Sequence, residues 1–497
     1  MKIEKTPQLL AIVMFILITL SCSKKDDEVI VEQPQPITLN NEVNDFIWSG
    51  LNEIYLWQNS VPNLSDSKFS TQDAYYTFLN SYNTPENLFD ALLYQKGVVD
   101  KFSFLVDDYI ALENSFQGTS KTEGLDFRLV RLSDSDDIFG YIRYVANNSN
   151  ASTKDIKRGD FFMTVDGQQL TINNYSDLLF GTNDTYTLGM ASISNSTISS
   201  NGKSITLTKS DFTENPILIN KTIDANGHKV GYLMYNSFVS NFDSALNDAF
   251  SQLKADNVTE LVLDLRYNPG GRVSSAIILS SMITGQFNNE IFLTEVWNQK
   301  YQSYFNANSP ESLINRFTDK LTDNSVITSL NLNKVYILTT SGSASASELV
   351  INCLDPYIDV VQIGTNTTGK YTASVTLYDS SNYGRDNANP RHKYAIQPLV
   401  LKSANKNGVT DYYNGLIPDY LITYQTTSGA TAEGENITNL GVLGDVNEPF
   451  LAKAISLITG ITLKSVQTSK SVGIDFKGVA DSKDFTPLGK GMYTDLK

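Results

Sequence analysis

The sequence predicts an α/β protein with its core between residues 216 and 425, preceded by a small β-rich unit and a helical region. Three observations carry this reading. Apolar strand-like runs alternate with helical segments through the core. Short alternating runs broken by turns fill residues 116–215, and one apolar stripe at helical spacing marks residues 41–115. At 497 residues, 41% of them hydrophobic, the chain has room for roughly three packed domains.

In the helical region Val43, Phe46, Ile47, Leu51, Ile54 and Tyr55 recur three and four apart, as the buried face of one helix requires. Packing alone accounts for that stripe. In the core, "KVGYLMYNSF" (229–238) and "ELVLDLRYNPGG" (260–271) read as strand-like, with "FDSALNDAFSQLKADN" (242–257) between them as an amphipathic helix. "KVYILTT" (334–340) reads as a buried strand, "SELVINCLDPY" (347–357) as a helix and "DVVQIGT" (359–365) as another strand. Such alternation implies right-handed crossovers and parallel pairing. Residues 426–497 are read as one helix, "EPFLAKAISLITG", followed by a tail; Pro449 suits the first turn and Gly460 follows the end.

The first 40 residues carry an address. Lys2 and Lys5 precede an apolar run of 12 residues, Leu9 to Leu20, which is shorter than the ~20 residues a bilayer span needs. Residues 1–22 therefore read as a secretory signal. It ends in "LSC", which resembles a bacterial lipobox with Cys22 as the lipidated residue, although Thr19 stands where lipoboxes usually have Leu. With Cys22 lipidated, Cys353 is the one thiol left and no intrachain disulfide is expected. Residues 23–40, polar and broken by Pro34 and Pro36, read as a tether. "SKKDDE" after the cysteine resembles the export signal of surface lipoproteins in the Bacteroidetes. These resemblances imply a protein of the cell envelope, lipid-anchored in the outer membrane and either periplasmic or surface-exposed. The net charge of −16 argues against nucleic acid as a partner.

Chemistry concentrates in "TSGSASASEL" (340–349). In parallel strands joined by right-handed crossovers, the C-terminal ends of 334–340 and 359–365 lie at one edge of the sheet, where open α/β folds bind ligands. Ser345 and Lys370, 25 residues apart, are thereby expected side by side, with "RYNPGG" (266–271) delivered to the same edge. Ser345 to Glu348 matches a capping box, placing the serine at a helix N-terminus where free N–H groups can face an oxyanion.

The same residues resemble the carboxy-terminal processing (tail-specific) serine proteases. "SASASE" carries that family's nucleophile at its middle serine, here Ser345, and a "TxGK" turn carries its lysine, here Thr367–Lys370. "DLRYNPGG" (264–271), "DKFSFL" (100–105) and "GLIPD" (415–419) are further markers, in the family's order. The resemblance implies a protease core of ClpP/crotonase-like fold with a mixed β-sheet and flanking helices. It implies a Ser-Lys dyad needing no cofactor, with Ala346 and either Gly271 or Gly270 forming the oxyanion hole. "GLDFRLVRL" from Gly124 and "IKRGDFFMTVDGQQL" from Ile156 resemble a PDZ domain over 116–215, implying a peptide-binding loop at Gly124, Leu125, Asp126 and Phe127. Lysine acts as a base only when neutral, so Lys370 is expected in a mostly apolar pocket without a carboxylate partner. One departure stands out: Ser374 replaces a family glutamine four residues past the lysine.

Other chemistries find less material. His228 and His392 are the only histidines, both expected at the surface, and with one free cysteine they make a zinc site improbable. The Ser-x-x-Lys matches at Ser65–Lys68 and Ser403–Lys406 lack an apolar helix run and a KTG element, so a penicillin-binding enzyme is disfavoured. The expected function is a serine endopeptidase acting on protein or peptide substrates through unstructured or C-terminal segments. The alternative is a catalytically weak or inactive peptide-binding scaffold lipoprotein.

Overall fold

The computed structural model describes residues 36–132, 135–194, 197–461, 473–486, 489 and 491–496. Cys22, the signal segment and most of the tether lie outside these residues. Among the described residues no helix is long and apolar enough to cross a membrane.

The apolar stripe becomes helix Glu42–Ile54, opened by the Asn41 side chain, which accepts from Val43 N–H. All six stripe residues are buried. Two further helices, Gln72–Asn80 and Pro85–Leu92, begin at Thr71 and Thr84, whose hydroxyls accept from N–H groups three residues on. This region shares one hydrophobic core with the α/β sheet.

The β-rich unit is an antiparallel sheet. Leu125–Arg131 pairs with Ile138–Val145, which pairs with Phe161–Val165, then come Thr185–Ser194 and Thr197–Thr208. Helix Tyr175–Phe180 packs on its core.

The central sheet is mixed, as expected. Ile217–Ala225 is antiparallel to His228–Tyr235, and from there Glu260–Asp264, Lys334–Thr339, Asp359–Gly364 and Tyr420–Leu421 follow in parallel. Helices Asp243–Ala255 and Ala346–Leu354 supply crossovers, and the latter packs with Val273–Thr284 in the core. Helix Pro449–Thr459 runs from Pro449 to Gly460, which takes the left-handed conformation at φ 70°.

A second sheet was not foreseen. It runs in the order Gly271–Arg272, Met492–Tyr493, Thr372–Ser374, Leu399–Asn405, Ile291–Trp297, Ile314–Arg316. Residues 426–497 are thus no mere appendage: Lys477–Asp481 joins the β-rich sheet and Met492–Tyr493 joins this one. The histidines need a correction too. Both are half-buried, and His392 pairs through Nε2 with Asp379 at 2.9 Å.

Candidate active site

The loop after strand Lys334–Thr339 enters helix Ala346–Leu354 through Ser345. Ser345 has φ 65° and ψ −113°, a conformation that a residue with a Cβ keeps only where its surroundings impose it. Its backbone N–H donates to Glu348 Oε2 at 2.7 Å. Its hydroxyl is fully buried and has no hydrogen-bond partner among the described residues, so the Glu348 half carries the cap. A buried hydroxyl left unbonded at a strained turn is held at a cost to stability, as reactive groups are.

Glu348 is more than a cap. Its fully buried carboxylate also accepts from the Thr367 hydroxyl (2.5 Å) and from the N–H groups of Gly369 (2.5 Å) and Lys370 (2.8 Å). One side chain therefore fastens the start of the serine's helix to the turn that carries the lysine, with Ser345 N and Lys370 N on the same oxygen. Burial pushes the Glu348 carboxyl up, opposed by these four donors. The sequence marked Glu348 only as a helix cap.

Lys370 is 1% exposed. Burial lowers its pKa to about 7, while the charges of Asp100 and Glu348 act in the opposite direction. The expected pocket without carboxylates is therefore corrected: two acids act on the lysine, and desolvation outweighs them. Lys370 Nζ lies 5.3 Å from the centroid of Phe102. Both Asp100 and Phe102 belong to "DKFSFL", so the helical region supplies part of the pocket wall. Asp100 is itself fixed by the Tyr55 hydroxyl (2.7 Å) and by the N–H groups of Phe102 (3.1 Å) and Ser103 (2.9 Å). Ser374 Oγ donates to the carbonyl of Met492 at 3.1 Å.

The glycines of "NPGG" are required by shape. A Cβ on Gly271 would stand 2.2 Å from the Phe238 carbonyl oxygen, and one on Gly270 would stand 2.6 Å from Ser345 Cβ. Their φ values of 138° and 108° also exclude other residues. The Gly270 N–H donates to Asn268 Oδ1 at 2.9 Å, so Gly271 is the better placed of the two to offer an N–H to an oxyanion. Ala346, fully buried, is the first helical residue, where an N–H has no partner within the helix.

The rest of the motif anchors this loop. Arg266, fully buried, pairs with Asp264 (2.7 Å) and Glu448 (2.6 Å), and the Tyr232 hydroxyl donates to Asp264 at 2.7 Å. Asn268 donates to the Tyr235 carbonyl (2.8 Å), and its own carbonyl accepts from Ala344 N–H (3.1 Å) and the Ser347 hydroxyl (3.0 Å). The loop and the serine's helix are thereby held as one body.

Ser345, Ala346, Lys370, Gly270 and Gly271 are thus brought together. Gly124, Leu125, Asp126 and Phe127 lie apart from them, along a cleft of about 550 Å³ that reaches Pro269 in the "NPGG" loop. Gly124 has φ 88°, and a Cβ there would stand 2.1 Å from Ser149 Cβ. Asp126 pairs with Arg143 at 2.5 Å. Neither Ser-x-x-Lys match forms a comparable centre: Ser65 bonds Ser67, and Lys406 lies 3.9 Å from Glu290. Among the described residues no group of three or more His, Cys, Asp or Glu side chains is placed to hold a metal.

A hydroxyl at a helix entrance, a buried amine with its pKa near neutrality and adjacent N–H donors are the parts that nucleophilic catalysis at a carbonyl requires. The family model "Peptidase family S41" matches residues 229–447 and "Peptidase S41 N-terminal domain" matches 42–104. Both matches are to peptidase family S41. A putative S41 protease from Bacteroides fragilis NCTC 9343 is 26% identical, with a TM-score of 0.64 covering 84% of this chain and 98% of that one. The carboxy-terminal processing protease CtpB of Bacillus subtilis (strain 168) is 28% identical over 184 residues, 35% of this chain and 34% of its own. The carboxy-terminal-processing protease of Bartonella bacilliformis is 27% identical over 241 residues, 45% of this chain and 47% of its own. The match spans between about a third and a half of the length of these curated relatives.

Proposed function

We propose that the protein is a serine endopeptidase with Ser345 as nucleophile and Lys370 as general base. The observation that carries this reading is the shared clamp: Glu348 Oε2 holds the backbone of both residues, at 2.7 and 2.8 Å, while burial brings the lysine to a pKa of about 7. A neutral Lys370 takes the proton from Ser345 as its oxygen attacks the substrate carbonyl. The N–H groups of Gly271 and Ala346 receive the developing oxyanion. The lysine then returns the proton to the departing amine, and water resolves the ester.

In this reading the β-rich unit is a PDZ-like module, with Gly124–Phe127 and the cleft beside them receiving the unstructured or C-terminal segments of substrates. Lipidation at Cys22 would hold the enzyme at the outer membrane of the cell envelope. The mechanism calls for no cofactor.

The test is hydrolysis of casein by the chain starting after Cys22, with Ser345→Ala and Lys370→Ala beside it. Loss of activity in both, with unchanged circular dichroism, is expected. Full activity in Ser345→Ala would overturn the assignment. If no form cleaves casein while labelled peptides still bind, the scaffold reading takes its place.

A further inference from the structure

The end of the chain runs through both regions assigned to substrate. Lys477–Asp481 lies antiparallel on Leu125–Arg131, with Lys477 opposite Arg131 and Asp481 opposite Arg128. It adds a strand to the sheet edge beside Gly124–Phe127, as an extended peptide does by β-augmentation. Ser482 Oγ then accepts from Phe127 N–H at 3.1 Å, Lys483 Nζ donates to the Tyr267 carbonyl at 2.6 Å, and Phe485 stacks on Phe180 with ring centroids 3.7 Å apart. These residues form one wall of the cleft that leads to Pro269.

Farther on, Met492–Tyr493 lies between Gly271–Arg272 and Thr372–Ser374, parallel to both. One of those strands opens with an oxyanion-hole glycine; the other follows Lys370. Thr494 N–H donates to the Ser374 carbonyl at 3.1 Å, and Ser374 Oγ donates to the Met492 carbonyl at 3.1 Å. Residues 492 and 494 therefore point their backbone groups toward Ser374. Successive residues of a strand alternate, which turns the carbonyl of Gly491 toward Gly271. A separate measure agrees. A Cβ built on Gly270 would stand 2.6 Å from Ser345 Cβ and 2.9 Å from the Gly491 carbonyl oxygen, so that oxygen borders the serine. The segment is seated firmly: Met492 is 0% and Tyr493 4% exposed, Tyr493 lies 4.3 Å from the Phe116 ring, and Asp495 pairs with Arg272.

We propose that this segment is the enzyme's own first substrate, bound across the β-rich unit and the catalytic cleft with its Gly491–Met492 bond presented to Ser345. The inference rests on the peptidase reading above. Ser345 Oγ forms a bond to the Gly491 carbonyl carbon while its proton passes to neutral Lys370. The carbon–nitrogen bond to Met492 breaks as Lys370 returns that proton to the Met492 nitrogen, releasing the segment from Met492 onward as a free amine. Water then cleaves the Gly491 ester, freeing Ser345 and leaving a carboxylate on Gly491. Until it is cut, Met492–Tyr493 excludes other peptides from Gly271–Arg272 and Thr372–Ser374. An effective concentration on the order of 1 mM for a tethered ligand, set against a peptide Kd on the order of 0.1 mM, weakens apparent binding of an outside peptide about tenfold.

Two measurements on the full chain test this. Intact-mass spectrometry at pH 8 should show the purified protein losing the mass of residues 492–497, with Ser345→Ala retaining it and casein hydrolysis accelerating as the loss proceeds. Full casein hydrolysis by protein that keeps residues 492–497 would overturn the proposal and leave the peptidase reading standing. The second measurement needs no catalysis. In a Ser345→Ala background, Met492→Asp places a carboxylate at a fully buried position and should expel the segment. Fluorescence anisotropy with a labelled peptide of residues 489–496 should then give about tenfold tighter binding than to Ser345→Ala alone, with thermal unfolding as the check on folding. Equal affinity for the two folded proteins would sink the occupancy. Tighter binding to Met492→Asp, with wild type that cleaves casein yet keeps residues 492–497, would instead leave the occupancy standing and overturn the self-cleavage.

Discussion

Lys370→Met is the most direct probe of the site, because its effect on stability depends on pH in a way that packing does not. In the folded protein the lysine titrates at about 7, against an unfolded value of 10.5. Between these values the unfolded chain holds a proton that the folded chain lacks, so stability rises with pH by 1.36 kcal/mol per unit. Below about 7 both states hold the proton, and the burial penalty is at its full size. Methionine has a similar length and no charge, so it removes the penalty at every pH. Relative to wild type, Lys370→Met should therefore gain about 4 kcal/mol more stability at pH 6 than at pH 10. The packing change made by the substitution is common to both conditions and cancels. The assay is urea unfolding at the two pH values, with both proteins in a Ser345→Ala background so that self-cleavage does not enter. A gap that is the same at pH 6 and pH 10, to within about 1 kcal/mol, would mean that the buried lysine stays charged. It would then not be the base.

The remaining predictions concern Ser345, Lys370 and the frame around them. In wild type, kcat/KM should rise with pH through a midpoint near 7, the pH at which Lys370 loses its proton; a flat profile from pH 5 to 8 would refute this. Glu348→Gln removes a charge that favours the ammonium and disturbs a four-donor clamp, so the midpoint should fall below 7 while stability drops by about 2–4 kcal/mol. An unmoved midpoint would assign Glu348 a purely structural role. Ser345→Gly should be inactive yet about 1 kcal/mol more stable than Ser345→Ala, because glycine accepts φ 65° without strain; thermal unfolding decides this. Arg266→Met leaves Asp264 and Glu448 buried without their cation and should cost about 3–5 kcal/mol at pH 7. Chemical unfolding at pH 7 measures the loss, and a cost below about 1 kcal/mol would count against the pairing.

The sequence by itself determined the parts with a local cause. The stripe from Val43 to Tyr55 is one helix because side chains three and four apart share a face. His228–Tyr235 is parallel to Glu260–Asp264, and Lys334–Thr339 to Asp359–Gly364, because the crossover within each pair carries a helix, and Ser345 opens a helix because a serine and a glutamate stand three apart. "NPGG" could be recognised as a turn, and the structure adds why no Cβ fits at Gly271: the Phe238 carbonyl is already there. What depends on groups distant in the chain was decided only by tertiary structure. Glu348 looked like a cap, and only the folded "TTGK" turn delivers the donors that make it a clamp. The pKa of Lys370 follows from complete burial beside Phe102 and Asp100, which stand some 270 residues earlier in the chain. The tail from Lys477 to Leu496 offered no pattern, since short strands paired into two different sheets need no periodicity of their own. Their conformation is imposed by the strands they join, and those strands, Leu125–Arg131, Gly271–Arg272 and Thr372–Ser374, meet the tail only once the chain has folded.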